Sequence, residues 1–81
     1  LMDYNLYEPR TFEEARNSAD ALLAGNTVVL NLHRLDRATA QRFIDFLTGT
    51  VYALHGKIER AGTNEIICVP TESQITGTIE L

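Results

Sequence analysis

The chain has 81 residues, 44% hydrophobic and 22% charged, with a net charge of −4. This length predicts one domain over residues 1–81. Such a short chain buries only about 60% of the surface of its unfolded form, so we expect pairing with another copy to add buried surface. Its seven Lys and Arg residues are scattered among acids, which argues against nucleic acid and polybasic membrane contacts, since both need clustered positive charge.

The first half of the chain predicts a strand, a helix and a second strand. Residues 3–8 alternate loosely between polar and apolar side chains, as strands do. Thr11 and Glu14 have the spacing of a capping box, and apolar residues then recur at helical spacing, so we predict a helix over residues 11–24. The apolar run at residues 28–30 predicts a short strand buried on both faces.

A long second helix follows. Asp36 can cap its start, and an apolar stripe continues to Gly56, where we predict that the helix ends. Phe46 and Tyr52 lie off that stripe and give the helix a second apolar side. Gly49 lies in the helix interior, where glycine costs about 1 kcal/mol relative to alanine. It is explained either by tight packing of the helix on its own sheet or by close approach of a neighbouring copy's helix.

The last third of the chain changes to the period of strands. Residues 57–61 and 65–69 flank a three-residue loop at 62–64, which predicts a β-hairpin in which Asn64 adopts a left-handed conformation. Residues 75–79 predict one more short strand.

These elements predict an α/β fold, a two-layer sandwich in the order β-α-β-α-β-β-(β) with both helices on one face of a single mixed sheet. Strand residues such as Val29 make the other face apolar too, and a soluble monomer rarely bares several hundred Å² of apolar surface. We therefore expect a homodimer packed sheet to sheet on that face. The expected self-association residues are Val29 on the sheet and Phe46, Gly49 and Tyr52 on the second helix. A second, distinct interface would extend dimers into a polymer.

No pattern of residues indicates catalysis or a cofactor. His33, His55 and Cys68 are far apart in sequence, without the close pairs of zinc sites. Cys68 lies in an apolar run, where burial makes a thiol inert, and no glycine-rich phosphate loop is present. We predict no enzyme, no metal and no cofactor. The opposing hypothesis, a small enzyme that uses Cys68, requires rapid thiol alkylation at neutral pH.

The hairpin supplies the candidate partner-binding residues. Its short loop sets Arg60 opposite Ile66, with Ile58 and Cys68 on the same face. A cation beside an apolar strip suits a short amphipathic peptide that carries an acidic residue. The alternative is a solvated arginine at the end of a hairpin whose isoleucines belong to the core.

Four segments together resemble the C-terminal domain of the SepF family of cell-division proteins. They are Glu8-Pro-Arg-Thr-Phe-Glu-Glu-Ala15, Val28-Val-Leu-Asn-Leu32, Arg42-Phe-Ile-Asp-Phe-Leu-Thr-Gly-Thr-Val-Tyr-Ala-Leu54 and Ile67-Cys-Val-Pro70. The resemblance implies an adaptor of the division septum that dimerises or polymerises and binds the C-terminal tail of FtsZ. It also implies that Arg60 and Ile66 belong to the tail pocket and that Gly49 lies on the helix used for assembly.

The same resemblance implies a location in the cytoplasm, at the division site on the inner face of the membrane. Membrane attachment would depend on an N-terminal amphipathic segment and linker that we expect to be missing from this chain, which starts at Leu1. The sequence shows no signal peptide or transmembrane run, and a single cysteine fits a reducing compartment.

A different class of function stays open. Small α/β sandwiches of this size often dimerise to form a ligand pocket, so the chain could be a small-molecule-binding regulatory domain. Thermal melts that rise with amino acids or nucleotides would favour that reading.

Overall fold

The computed structural model describes residues 4–71. Its elements are β1 (Tyr4–Tyr7), α1 (Ala15–Leu23), β2 (Thr27–Asn31), α2 (Arg37–Leu54), β3 (Lys57–Arg60) and β4 (Glu65–Val69). The strands form one sheet in the order β1-β2-β4-β3, with β1 parallel to β2 and the other neighbours antiparallel. The predicted α/β class and mixed sheet are confirmed, and the strand predicted at 75–79 lies outside the described residues.

Helix α1 begins with the predicted capping box. Glu14 Oε2 accepts hydrogen bonds from the backbone N–H groups of Arg10 (2.8 Å) and Thr11 (3.0 Å), and these bonds lower the pKa of Glu14. The first turn, Phe12–Glu14, is a 3-10 helix, so the α-helix begins later than residue 11. Gly25, with φ at +93°, allows the chain to turn out of the helix.

Helix α2 starts as predicted but ends at Leu54, two residues before Gly56. Asp36 Oδ1 accepts a hydrogen bond of 2.7 Å from the backbone N–H of Thr39, which confirms the cap. The residue in the left-handed conformation after the helix is His55, with φ at 61°, and not Gly56. Glycine is required at position 56 for a different reason: a Cβ there would clash with the carbonyl oxygen of Val69 and lie 2.9 Å from the carbonyl carbon and oxygen of Pro70.

The β3–β4 hairpin has the predicted register. Arg60 pairs with Ile66 and Ile58 with Cys68. The left-handed conformation predicted for Asn64 is wrong, because His55 is the only non-glycine residue of the described chain with a positive φ. Instead the Asn64 carbonyl accepts a hydrogen bond of 2.7 Å from Leu32 N, which continues the pairing of β2 with β4 beyond the end of both strands.

One face of the sheet packs against both helices around a single core. The buried core residues are Ala15, Ala19, Ala21 and Leu22 from α1, Phe43, Leu47 and Val51 from α2, and Val28, Leu30, Leu32, Ile66 and Cys68 from the sheet and the residue after β2. The pairs Val28–Cys68 and Leu30–Ile66 lie directly across β2 and β4, so alternate strand residues supply the core. The prediction that both helices share one face is confirmed.

Candidate protein-interaction surfaces

A groove of about 450 Å³ lies between the start of α2 and the β3–β4 hairpin; we call it the hairpin groove. It is lined by Leu32, Leu35, Arg37, Ala40, Gln41, Ile44, Arg60, Thr63, Asn64 and Ile66. A depression of about 130 Å³ lies beside it and is lined by Ile44, Ile58, Glu59, Arg60 and Ile66. Because Ile44, Arg60 and Ile66 line both cavities, the two form one continuous surface along the hairpin.

Local structure fixes both walls of the hairpin groove. On α2, the lining residues recur three, four and seven positions after Arg37, which places them on one side of the helix. On the hairpin, the register sets Arg60 beside Ile66. Between the walls, the loop after β2 is held by hydrogen bonds from Leu32 N to the Asn64 carbonyl (2.7 Å) and from Leu35 N to the Leu32 carbonyl (3.0 Å).

Three of the four hairpin residues singled out from the sequence reach this surface. Ile58 and Arg60 line it with accessible side chains, and Ile66 lies at its floor with only 2% of its surface exposed. Cys68 has no exposed surface and lies in the core. The α2 wall of the groove was not predicted from the sequence. The helical spacing of that wall is readable in the sequence, but its packing beside the hairpin is a tertiary contact that spacing does not show.

The hairpin groove is positively charged within an acidic chain. Arg37 and Arg60 line it, and none of its described lining residues is Asp or Glu. The ion pairs found among residues 4–71 involve His33 and Arg34 with Glu8, and Lys57 with Glu59. Within that part of the chain, therefore, neither groove arginine has a carboxylate partner.

The helix-free face of the sheet carries an apolar strip, which we call the sheet patch: Tyr4, Leu6, Val29 and Ile67. The register aligns Leu6 with Val29 and Val29 with Ile67 across three neighbouring strands. Leu6 is 72% exposed, and Val29 and Ile67 are half-buried. The strip ends at β3, where Glu59 lies opposite Ile67 and pairs with Lys57 at 3.1 Å.

The outer side of α2 is a third surface, formed by Phe46, Gly49 and Tyr52; we call it the outer α2 face. Tyr52 is 84% exposed and Phe46 is 43% exposed. A Cβ on Gly49 would meet no atom within 4 Å. Of the two explanations for Gly49, tight packing on its own sheet is therefore wrong.

The Phe46 end of the outer α2 face is held in place by Phe12. The Phe12 ring contacts Phe46 and Phe43 edge to face, with ring centroids 6.1 and 6.3 Å apart. The Arg42 guanidinium lies 4.0 Å from the centre of the Phe12 ring, which is a cation–π distance. Phe46 is thus oriented by its neighbours although its outer surface is exposed.

The Cys68 thiol and the His33 imidazole have different surroundings: Cys68 is buried, whereas His33 is exposed and paired with Glu8. Burial raises the pKa of the Cys68 thiol to about 12. His33 Nε2 contacts Glu8 Oε2, and Arg34 Nε lies 3.3 Å from Glu8 Oε1; these contacts, His33 first, lower the pKa of Glu8. Among the described residues, no group of three or more His, Cys, Asp and Glu side chains is placed to hold a metal ion. The helices found in that range are also too short or too polar to span a bilayer.

By its fold, the chain is a two-layer α/β domain similar to two solved archaeal structures. A SepF-like protein from Pyrococcus furiosus matches with a TM-score of 0.77 at 18% identity, covering 89% of this chain and 90% of that one. A SepF-like protein from Archaeoglobus fulgidus also gives a TM-score of 0.77, at 23% identity, covering 83% of each chain. At such low identity the likeness concerns the fold alone.

The family model of the cell division protein SepF matches residues 5–75, and the chain belongs to the SepF family. It is 46% identical over 74 residues to the cell division protein SepF of Halalkalibacterium halodurans, covering 91% of this chain and 49% of the relative. It is 43% identical to that of Staphylococcus aureus strain JH9, covering 91% and 40%. The chain therefore spans half or less of the length of these relatives.

Proposed function

We propose that this chain is the partner-binding and self-associating domain of a non-catalytic adaptor in cell division. Its relatives are cell division proteins. The single observation that carries the proposal is the hairpin groove, in which Arg60, without a carboxylate partner among residues 4–71, lies beside Ile66. In this role the domain binds the C-terminal tail of FtsZ, in the cytoplasm at the division site, and a segment outside this chain links it to the inner face of the membrane.

The chemistry of the hairpin groove supports a peptide partner. Leu35 and Ile44 provide half-buried apolar surface, while Arg60, which has no carboxylate partner among residues 4–71, provides a cation at the edge of the groove. Short amphipathic segments with an acidic residue bind such surfaces through apolar anchors and a charge-assisted hydrogen bond.

Calorimetric titration with a peptide of the FtsZ tail tests the binding step. Arg60→Glu should weaken binding at least tenfold, because a hydrogen bond to a charged group contributes about 1.5–3 kcal/mol and the new carboxylate repels the acid of the peptide. Arg16→Glu, on the exposed side of α1, is the matched control and should leave the affinity unchanged. Circular dichroism checks that both variants fold. An Arg60→Glu variant that binds like the wild type contradicts the assignment of the groove.

The sheet patch supports the homodimer. Its apolar strip crosses three strands, and covering it with the same patch of a second copy removes apolar surface from water at about 25 cal/mol per Å². Multi-angle light scattering at micromolar concentration should report a dimer. A strictly monomeric chain under those conditions would remove this part of the proposal.

The outer α2 face supports a second contact between copies. Gly49 leaves space above the helix, so the backbone of a second helix can come close to it. Phe46 and Tyr52 lie beside that space and offer apolar area. Because this face and the sheet patch are separate surfaces, using both would join dimers into a longer assembly.

A further inference from the structure

Two arginines approach the hairpin groove from different elements. Arg60 is the last residue of β3, and Arg37 is the first residue of α2. Both line the same cavity, and neither pairs with a carboxylate in the described part of the chain. The protein has a net charge of −4, but the described lining of this groove contains two arginines and no Asp or Glu. Such a groove is complementary in charge to an anionic partner.

Arg37 occupies a position where helix stability disfavours it. The start of an α-helix carries partial positive charge, so acids are preferred there and cations are unfavourable. The first turn of α2 nevertheless contains no acidic residue. Asp36, directly before it, has its Oδ1 engaged by Thr39 N at 2.7 Å. The Asp36 carboxylate offsets the partial charge of the helix start, so the Arg37 guanidinium is the positive charge that α2 contributes to this wall of the groove.

Apolar side chains lie in the groove with the two arginines. Leu35, Ala40 and Ile44 come from the loop and α2, and Ile66 comes from β4. Of the four remaining lining residues, Leu32 is apolar and buried, and Gln41, Thr63 and Asn64 are neutral and polar. An occupant that satisfies the whole groove therefore needs more than one negative charge and an apolar side chain.

We propose that the hairpin groove is a two-arginine clamp: Arg37 and Arg60 each bind one carboxylate of the same partner segment, and an apolar side chain between those carboxylates packs on Leu35 and Ile44. The inference rests on the proposed function of the groove as a peptide site. It adds Arg37 as a specificity-determining residue and defines the partner class as a segment with an acid on both sides of an apolar residue.

The test is an NMR titration of the chain with three short glycine-serine peptides. The first carries one isoleucine with an aspartate on each side, and in the other two peptides one aspartate or the other is replaced by asparagine. The first peptide should bind about tenfold more tightly than either of the others, because each of them loses one charge-assisted hydrogen bond.

The arginine variants assign each carboxylate. Arg37→Gln should weaken binding of the first peptide about tenfold and leave the affinity for one asparagine peptide unchanged; Arg60→Gln should do the same with the other asparagine peptide. This crossed pattern requires that each arginine holds its own carboxylate. Arg16→Gln, exposed on α1, should change none of the affinities, and circular dichroism confirms folding of every variant.

Several results would overturn the clamp. These are no binding of the first peptide, equal binding of all three peptides, or an Arg37→Gln variant that binds all three like the wild type or weakens all three equally. Succinate that binds as tightly as the first peptide would also overturn it, because the site would then need no apolar side chain.

A separate titration with the FtsZ tail distinguishes the clamp from the proposed function. If the tail binds while the three probes bind equally, the clamp fails and the proposed function stands. If the probes show the crossed pattern and the tail does not bind, the clamp stands and the proposed partner is wrong.

Discussion

Two glycine-to-alanine substitutions should change the stability of this domain in opposite directions. At Gly56 a Cβ would clash with the Val69 carbonyl oxygen and lie 2.9 Å from the carbonyl carbon and oxygen of Pro70. At Gly49, inside α2, a Cβ would meet no atom within 4 Å. The chemical change is the same at both sites, so the comparison isolates the effect of the surroundings.

The expected magnitudes follow from these contacts. Overpacking costs about 1–3 kcal/mol, and Gly56→Ala belongs at the upper end because the obstructing atoms are backbone atoms of the β4 end, which cannot rotate away. An average domain of this length has a free energy of unfolding of about 4–12 kcal/mol, so the loss is a large fraction of it. Gly49→Ala should instead raise that free energy by about 1 kcal/mol, the helix preference for alanine.

Urea unfolding, followed by circular dichroism at one fixed protein concentration, measures both effects. We expect the unfolding midpoint to fall strongly for Gly56→Ala and to rise for Gly49→Ala. In light scattering at higher concentration, Gly49→Ala should lower the average mass, since its Cβ obstructs the proposed helix contact. A Gly56→Ala variant as stable as the wild type, or a destabilised Gly49→Ala variant, would refute this reasoning.

Three further outcomes are expected. Leu6→Asp should weaken dimerisation about a hundredfold in light scattering. Fully burying a leucine contributes about 1.5–3 kcal/mol, and a symmetric dimer buries the 72% exposed side chain of Leu6 once from each copy. An unchanged dimer would contradict the sheet interface. Burial raises the pKa of Cys68 to about 12, so the folded protein should react with iodoacetamide at neutral pH roughly a hundredfold more slowly than the protein unfolded in urea; equal rates would show that the thiol is accessible. The free energy of unfolding should also fall as pH rises from about 9 toward 12, because the thiol then ionises in the unfolded chain before it ionises in the folded one. Asp36→Ala should lower the melting temperature by a few degrees at neutral pH, because the hydrogen bond from Thr39 N is lost. That bond lowers the pKa of Asp36, so the difference in melting temperature from the wild type should shrink as pH falls through this lowered pKa. A difference that stays constant would rule out the charged cap.

The features that could be predicted from the sequence have local causes. The cap at Asp36 needs only residues within one helical turn, and the pairing of Arg60 with Ile66 follows from the length of the hairpin loop. The two-layer arrangement follows from the apolar periodicity of the helices and strands. In each case, the residues that decide the structure are neighbours in the chain or repeat along one element.

The features that the sequence could not predict depend on contacts between distant segments. Gly56 looks like a helix stop, but its approach to the carbonyl groups of Val69 and Pro70 requires glycine there, and His55 takes the left-handed conformation instead. Asn64 stays outside that conformation, and its carbonyl accepts a hydrogen bond from Leu32 N, a contact between distant segments. The contribution of Arg37 to the hairpin groove likewise appears only when α2 is placed beside β3.

One helix serves two of the surfaces. Helix α2 runs without interruption from Arg37 to Leu54; its first turns form a wall of the hairpin groove, and Gly49 and Tyr52 lie two to four turns further along. Because α2 is one continuous helix, a shift of its C-terminal end would also move its N-terminal end. If a second copy that binds near Gly49 displaces α2, then partner binding in the hairpin groove and assembly of dimers become thermodynamically coupled. Each would then change the equilibrium constant of the other by the same factor.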